Sequence, residues 1–133
     1  METYSITIIH LDTMTELTVP VNADECETSD QIKLEFPMGG RVFKFSGDSY
    51  LEAYQELRDK LLSFGYGIKC CGSLINAVQS GMMAYTPQIY LVTHGCQAMK
   101  KDIVGIWDKC DITEFPDTAE QKAFTEKWSG SLK

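Results

Sequence analysis

QIKLEFPMGGRVFKFSGDSYLEAYQELRDKLLSFG, residues 31–65, changes its apolar spacing from every second residue to every third or fourth, and that change decides the fold. Ile32, Leu34 and Phe36 alternate with Lys33 and Glu35, which gives a strand one apolar and one charged face. Residues 41–46 repeat the alternation less cleanly, and Gly39 and Gly40 between the two runs are free to take the positive φ values of a tight turn. A hairpin is expected. Ser46 or Asp48 then caps a helix whose Leu51, Tyr54, Leu57, Leu61, Leu62 and Phe64 recur at steps of three and four. Gly65 stands where a left-handed residue commonly ends such a helix.

On the amino-terminal side, residues 4–11 (YSITIIHL) and 17–21 (LTVPV) are rich in β-branched and aromatic types and flank a polar break, which predicts a second hairpin. Pro20 puts the second of these strands at a sheet edge or ends it there, and the polar, acidic residues 22–30 read as a loop. On the carboxyl side, Gly67, Gly72 and Gly81 interrupt residues 66–83, leaving 68–71 suited to a strand and 74–78 to a helical turn. Residues 88–93 (QIYLVT) and 102–107 (DIVGIW) read as buried mid-sheet strands joined by a polar, basic connection. At 117–132, Asp117 with Glu120, or Thr118 with Gln121, makes a capping box, and Phe124, Trp128 and Leu132 form a stripe directed at the sheet. The expected architecture is a single α+β domain over residues 1–133, with an antiparallel or mixed sheet of about six strands and two main helices on one face.

A chain of 133 residues can bury one sizeable core, and 44% hydrophobic with 23% charged residues is the composition of a globular protein. The first residues show neither a basic n-region nor an apolar h-region, and no stretch approaches the roughly 20 apolar residues of a membrane span, so a cytoplasmic location is expected. The five cysteines, Cys26, Cys70, Cys71, Cys96 and Cys110, lack the spacing of a disulfide framework and are read as reduced thiols.

Catalytic chemistry finds little support. Cys70, Cys71, His94, Cys96 and Cys110 include soft metal ligands, but only His94 with Cys96 approaches the spacing of a zinc knuckle, so neither metal nor cofactor is expected. A thiol nucleophile would need His10 or His94 as its base, and no orienting Asn or Asp can be assigned. Glu52, Glu56 and Asp59 fit a solvated helix face better than an acid–base pair. No phosphate-binding loop occurs, and Lys100–Lys101 is the one adjacent basic pair in an acidic chain, which disfavours nucleic acid. Met82, Met83, Tyr85, Tyr90 and Trp107 suit either a ligand pocket or a core.

Charge is the most informative global feature, with 19 acidic and 12 basic residues giving a net −7. Residues 1–35 hold Glu2, Asp12, Glu16, Asp24, Glu25, Glu27, Asp30 and Glu35 against Lys33 alone, whereas the rest of the chain is balanced. A surface of one sign speeds encounter with a partner of the other.

GMMAYTPQIYLVTHGCQAMKKDIVGIWD (81–108) and FPDTAEQKAFTEKWSGSL (115–132) resemble small bacterial proteins that accompany polymorphic toxins, among them the immunity proteins of contact-dependent growth inhibition systems. Gly81, Met82, Ala84, Tyr85, Tyr90, Gly95, Asp102, Val104, Ile106, Gln121, Phe124 and Trp128 carry the resemblance, which covers about half the chain. It implies a stoichiometric inhibitor that binds the cognate toxin's C-terminal domain, commonly a nuclease with a basic cleft. Asp24, Glu25, Glu27 and Asp30 are then the expected partner-binding residues. The alternative is a small enzyme or ligand-binding domain using the region between Gly65 and Cys96.

Overall fold

The computed structural model describes residues 2–25 and 31–132. β1 (Glu2–His10) and β2 (Thr15–Asp24) form a long antiparallel hairpin, with Glu2 opposite Ala23 and His10 opposite Thr15. β3 (Ile32–Met38) and β4 (Arg41–Gly47) form the second hairpin, closed by Gly39 at φ +60° and Gly40 at φ +79°. Positive φ at both central residues makes this the turn whose twist matches that of its strands. After α1 (Tyr50–Ser63) and Gly65 at φ +87°, β5 (Tyr66–Ile68) returns to pair with β1, giving the sheet order β4-β3-β2-β1-β5. A smaller sheet, β6-β7-β8, is made of Ala77–Val78, Gln88–Leu91 and Ile103–Gly105, and α2 (Thr118–Gly130) follows. All the strand pairs are antiparallel, and the fold is α+β.

The alternation read in the sequence fixes which face is buried. Ile6, Ile8, Val21, Ala23, Ile32, Leu34 and Phe36 project from the large sheet onto Tyr50, Ala53, Tyr54, Leu57 and Leu61 of α1. Ile68, Ile89, Ile106 and Trp107 continue the same core to the small sheet. Each fully buried Ile, Leu or Phe contributes about 1.5–3 kcal/mol, so this layer outweighs any intrinsic helix propensity in holding α1.

Several boundaries differ from the sequence reading for identifiable reasons. Among the described residues the strands number eight and form two sheets, where about six in one sheet were expected. β2 continues through Asn22, Ala23 and Asp24 because these residues pair with β3, and Pro20 sits on the part of β2 that pairs with β1 but not with β3. There its missing N–H costs no ladder bond on the β3 side. The helix cap is Ser49, whose Oγ accepts from Glu52 N at 3.1 Å, because pairing of β3 with β4 keeps the chain extended as far as Gly47. Residues 71–73 form the helical turn, while Ala77–Val78, expected within such a turn, pair with β7. β7 lies mid-sheet as expected, but β8 is an edge of the small sheet.

The capping box of α2 is the Asp117–Glu120 alternative, with Glu120 N donating to Asp117 Oδ1 at 2.9 Å and Asp117 N donating to Glu120 Oε1 at 3.2 Å. The Phe124, Trp128 and Leu132 stripe stays half-buried; the buried residue of α2 is Gln121, and the helix leans on α1. Arg58 of α1 explains this arrangement. It is 1% exposed, and its Nη2 donates to Gln121 Oε1 at 2.7 Å and to Thr118 Oγ1 at 3.1 Å. Gln121 Oε1 also accepts from Gln55 Nε2, while Gln121 Nε2 donates to the carbonyls of Gly72 and Leu74. A buried guanidinium needs acceptors, and a polar residue on α2 supplies them where an apolar one would not.

Candidate partner-binding surface

Tyr4 alternates with Ile6 and Ile8 on β1, and Tyr50 opens α1, so both rings reach the end of the hairpin where β2 stops. Their hydroxyls converge on one atom. Tyr4 Oη and Tyr50 Oη each donate to Glu25 Oε2 at 2.7 Å, and Trp107 Nε1 donates to Tyr50 Oη at 2.9 Å. The Trp107 ring stacks on Tyr4 at 5.8 Å between centroids and meets Tyr54 at 5.0 Å, so the chain of donors is packed from behind by aromatic rings. Burial, reinforced by the Glu25 carboxylate, pushes the Tyr4 hydroxyl up to about 12 and that of Tyr50 far above its ordinary value. Both therefore remain donors at neutral pH, and charge-assisted bonds of this kind are roughly twice as strong as neutral ones.

Glu25 lines a cavity of about 450 Å³ together with Met82, Tyr85, Thr86 and Pro87. Met82 is 97% exposed and Tyr85 49%, large apolar groups standing beside a fixed anion. A neighbouring depression of about 310 Å³ runs over Tyr4, Pro87, Gln88 and Trp107, so Pro87 joins the two into one surface. The loop that presents Met82 and Tyr85 is anchored from both sides. Gln79 Nε2 donates to the carbonyls of Thr86 and Gln88, and its Oε1 accepts from Leu51 N at the start of α1. Tyr50 N donates to Ala84 O at 2.6 Å. Two otherwise unpaired donors of the helix start thus hold the loop in place.

Of the partner-binding residues expected from the sequence, Asp24 and Glu25 end the β1–β2 hairpin near Glu2, with Asp24 opposite Lys33, while Glu27 and Asp30 lie outside the described residues. The acidity that is continuous in sequence is divided in space. Asp12 and Glu16 sit at the opposite end of the hairpin, roughly 30 Å away at 3.3 Å per residue, and Glu16 is paired with Lys69 at 2.9 Å. Sequence reasoning missed Tyr4 and Tyr50 as supports for Glu25, because their spacing marks them equally well as core. Met82, Tyr85 and Trp107, grouped in the sequence as pocket candidates, do meet at this surface, while Met83 is buried and Tyr90 belongs to β7.

The region between Gly65 and Cys96 is dispersed. Burial pushes both the Cys70 and Cys71 thiols up to about 12, away from thiolate chemistry. His94 and Cys96 are exposed on a loop tied to α2, where Gly95 N donates to Ser131 Oγ and Trp128 Nε1 donates to Cys96 O. His10 serves the β1–β2 turn, with Nδ1 accepting from Thr13 N at 3.4 Å and its ring edge-on to Tyr66. Among the described residues no three His, Cys, Asp or Glu side chains are grouped closely enough to hold a metal ion. No helix among them is long and apolar enough to cross a membrane. The chain matches no known protein family, and no curated protein matches it in sequence.

Proposed function

We propose that this chain is a cytoplasmic immunity protein that binds and neutralises the C-terminal domain of a cognate toxin, a basic domain of the nuclease type, without cofactor and without catalysis. The observation that carries the reading is the Glu25 carboxylate, held by Tyr4 and Tyr50 beside the exposed Met82 and Tyr85. Protein interfaces are enriched in Tyr, Trp and Met, and their strongest contacts centre on rigid aromatic anchors. The net −7 and the resemblance of residues 81–108 and 115–132 to toxin-associated immunity proteins support the same reading from the sequence.

The test is co-purification with the toxin domain encoded immediately upstream, at low and at moderate salt. A one-to-one complex that abolishes toxicity and weakens as salt rises is expected. Reversing Asp24, Glu25, Glu27 and Asp30 together should slow association. Absence of a complex at either salt concentration defeats the proposal.

A further inference from the structure

We infer that the cavity at Glu25 is the seat of an arginine side chain of the partner, an inference that rests on the immunity reading for its choice of partner. Three observations point to a guanidinium. The first is charge: among the described residues, Glu25 is the one carboxylate lining the cavity, no Lys or Arg lines it, and no cation forms an ion pair with it. The second is rigidity. Two hydroxyl donors hold Oε2, and Trp107 holds one of those hydroxyls, so the carboxylate presents a set direction and loses little freedom when a ligand arrives. The third is the shape of the walls. Met82, Tyr85 and Pro87 offer an aromatic ring and two aliphatic surfaces, which suit a flat, weakly hydrated cation with an apolar stem better than a compact ammonium.

Other features carry less. The depression over Lys33, Glu35 and Lys44 on the β3–β4 hairpin already holds charges of both signs. Arg58 Nη1, although without a hydrogen-bond partner, is sealed within the contact of α1 with α2.

The experiment uses the isolated chain first. Nα-acetyl-arginine methylamide is titrated while amide shifts are followed by two-dimensional NMR, with the citrulline and lysine counterparts run in parallel. The arginine compound should shift the amides of Glu25, Met82 and Tyr85 saturably, with a dissociation constant on the order of millimolar. The uncharged citrulline compound should leave them in place, and lysine should bind at least several-fold more weakly. Glu25→Gln keeps an oxygen able to accept from both tyrosines but removes the charge, so it should fold normally and lose the arginine response. A flat titration, an equal response to citrulline or lysine, or a response retained by E25Q overturns the inference.

The toxin domain separates the two proposals. If the wild-type chain binds it and E25Q loses at least ten-fold in affinity, the arginine seat stands; if E25Q binds equally well, the seat falls and the immunity reading survives. If the arginine compound binds but the toxin domain does not, the immunity reading falls alone.

Discussion

A single carboxylate organises residues from three distant parts of the chain, because Glu25 accepts from Tyr4 and Tyr50, and Tyr50 accepts from Trp107. The tyrosines give this cluster a measurable alkaline signature. Tyr4 ionises near pH 12 in the folded chain but near 10 when unfolded. Between those values the folded state keeps a proton that the unfolded state releases, so raising the pH favours unfolding. The stability that Tyr4 contributes should therefore hold up to about pH 10 and be lost between about 10 and 12. Tyr50, Tyr54, Cys70 and Cys71 shift in the same direction, so the informative quantity is the difference between wild type and Tyr4→Phe. Urea midpoints measured across this range should decline less steeply for Y4F; equal slopes would mean that Tyr4 ionises freely in the folded chain.

At the scale of elements, α2 is fastened by hydrogen bonds more than by apolar contact. Gln121→Ala removes two acceptor contacts from Arg58 and Gln55 and two donor contacts to the carbonyls of Gly72 and Leu74. A loss of about 2–4 kcal/mol is expected, since a buried charge, a buried carbonyl and a half-buried one lose partners together. Hydrogen exchange should locate the damage, with α2 losing amide protection before β1, β2 and α1. Uniform loss across the chain would show that α2 unfolds only with the core.

Strict alternation at Ile32, Leu34 and Phe36 and the glycine pair at 39 and 40 announced the second hairpin, because each depends on neighbours only. The placement of α2 was not legible. Its apolar stripe pointed to a sheet, while the deciding interaction joins Gln121 to Arg58 across 63 residues, and neither residue departs from an ordinary surface pattern. The site was half visible for a related reason. Glu25 stood out by charge and Met82 and Tyr85 by type, but only pairing of β1 with β2 and the return of Trp107 bring them together.

For the whole molecule, the division of acidic residues between the two ends of the β1–β2 hairpin matters more than the net charge. A separation of roughly 30 Å exceeds the screening length of about 8 Å at physiological ionic strength, so the two ends act independently. Glu2→Lys with Asp24→Lys should slow association with the toxin domain by about ten-fold at low salt, whereas Asp12→Lys with Glu16→Lys should change it less than two-fold. Stopped-flow rates at two salt concentrations decide this. Equal effects from both pairs would mean that overall charge, not the Glu25 end, steers the encounter.

Tyr50 and Trp107 lie 57 residues apart, and that distance has a meaning in time as well as in space. Made from the amino end at about 5–20 residues per second, the chain holds Tyr50 for roughly 3 to 11 seconds before the indole that braces it has been synthesised. During that interval α1 and the first four strands exist without Ile89, Ile106 and Trp107, and part of the shared core faces solvent on the ribosome. The shared core can therefore close only after residues 89–107 have been made. The braced carboxylate is among the last features to mature, because its Trp107 support follows Tyr50 by 57 residues.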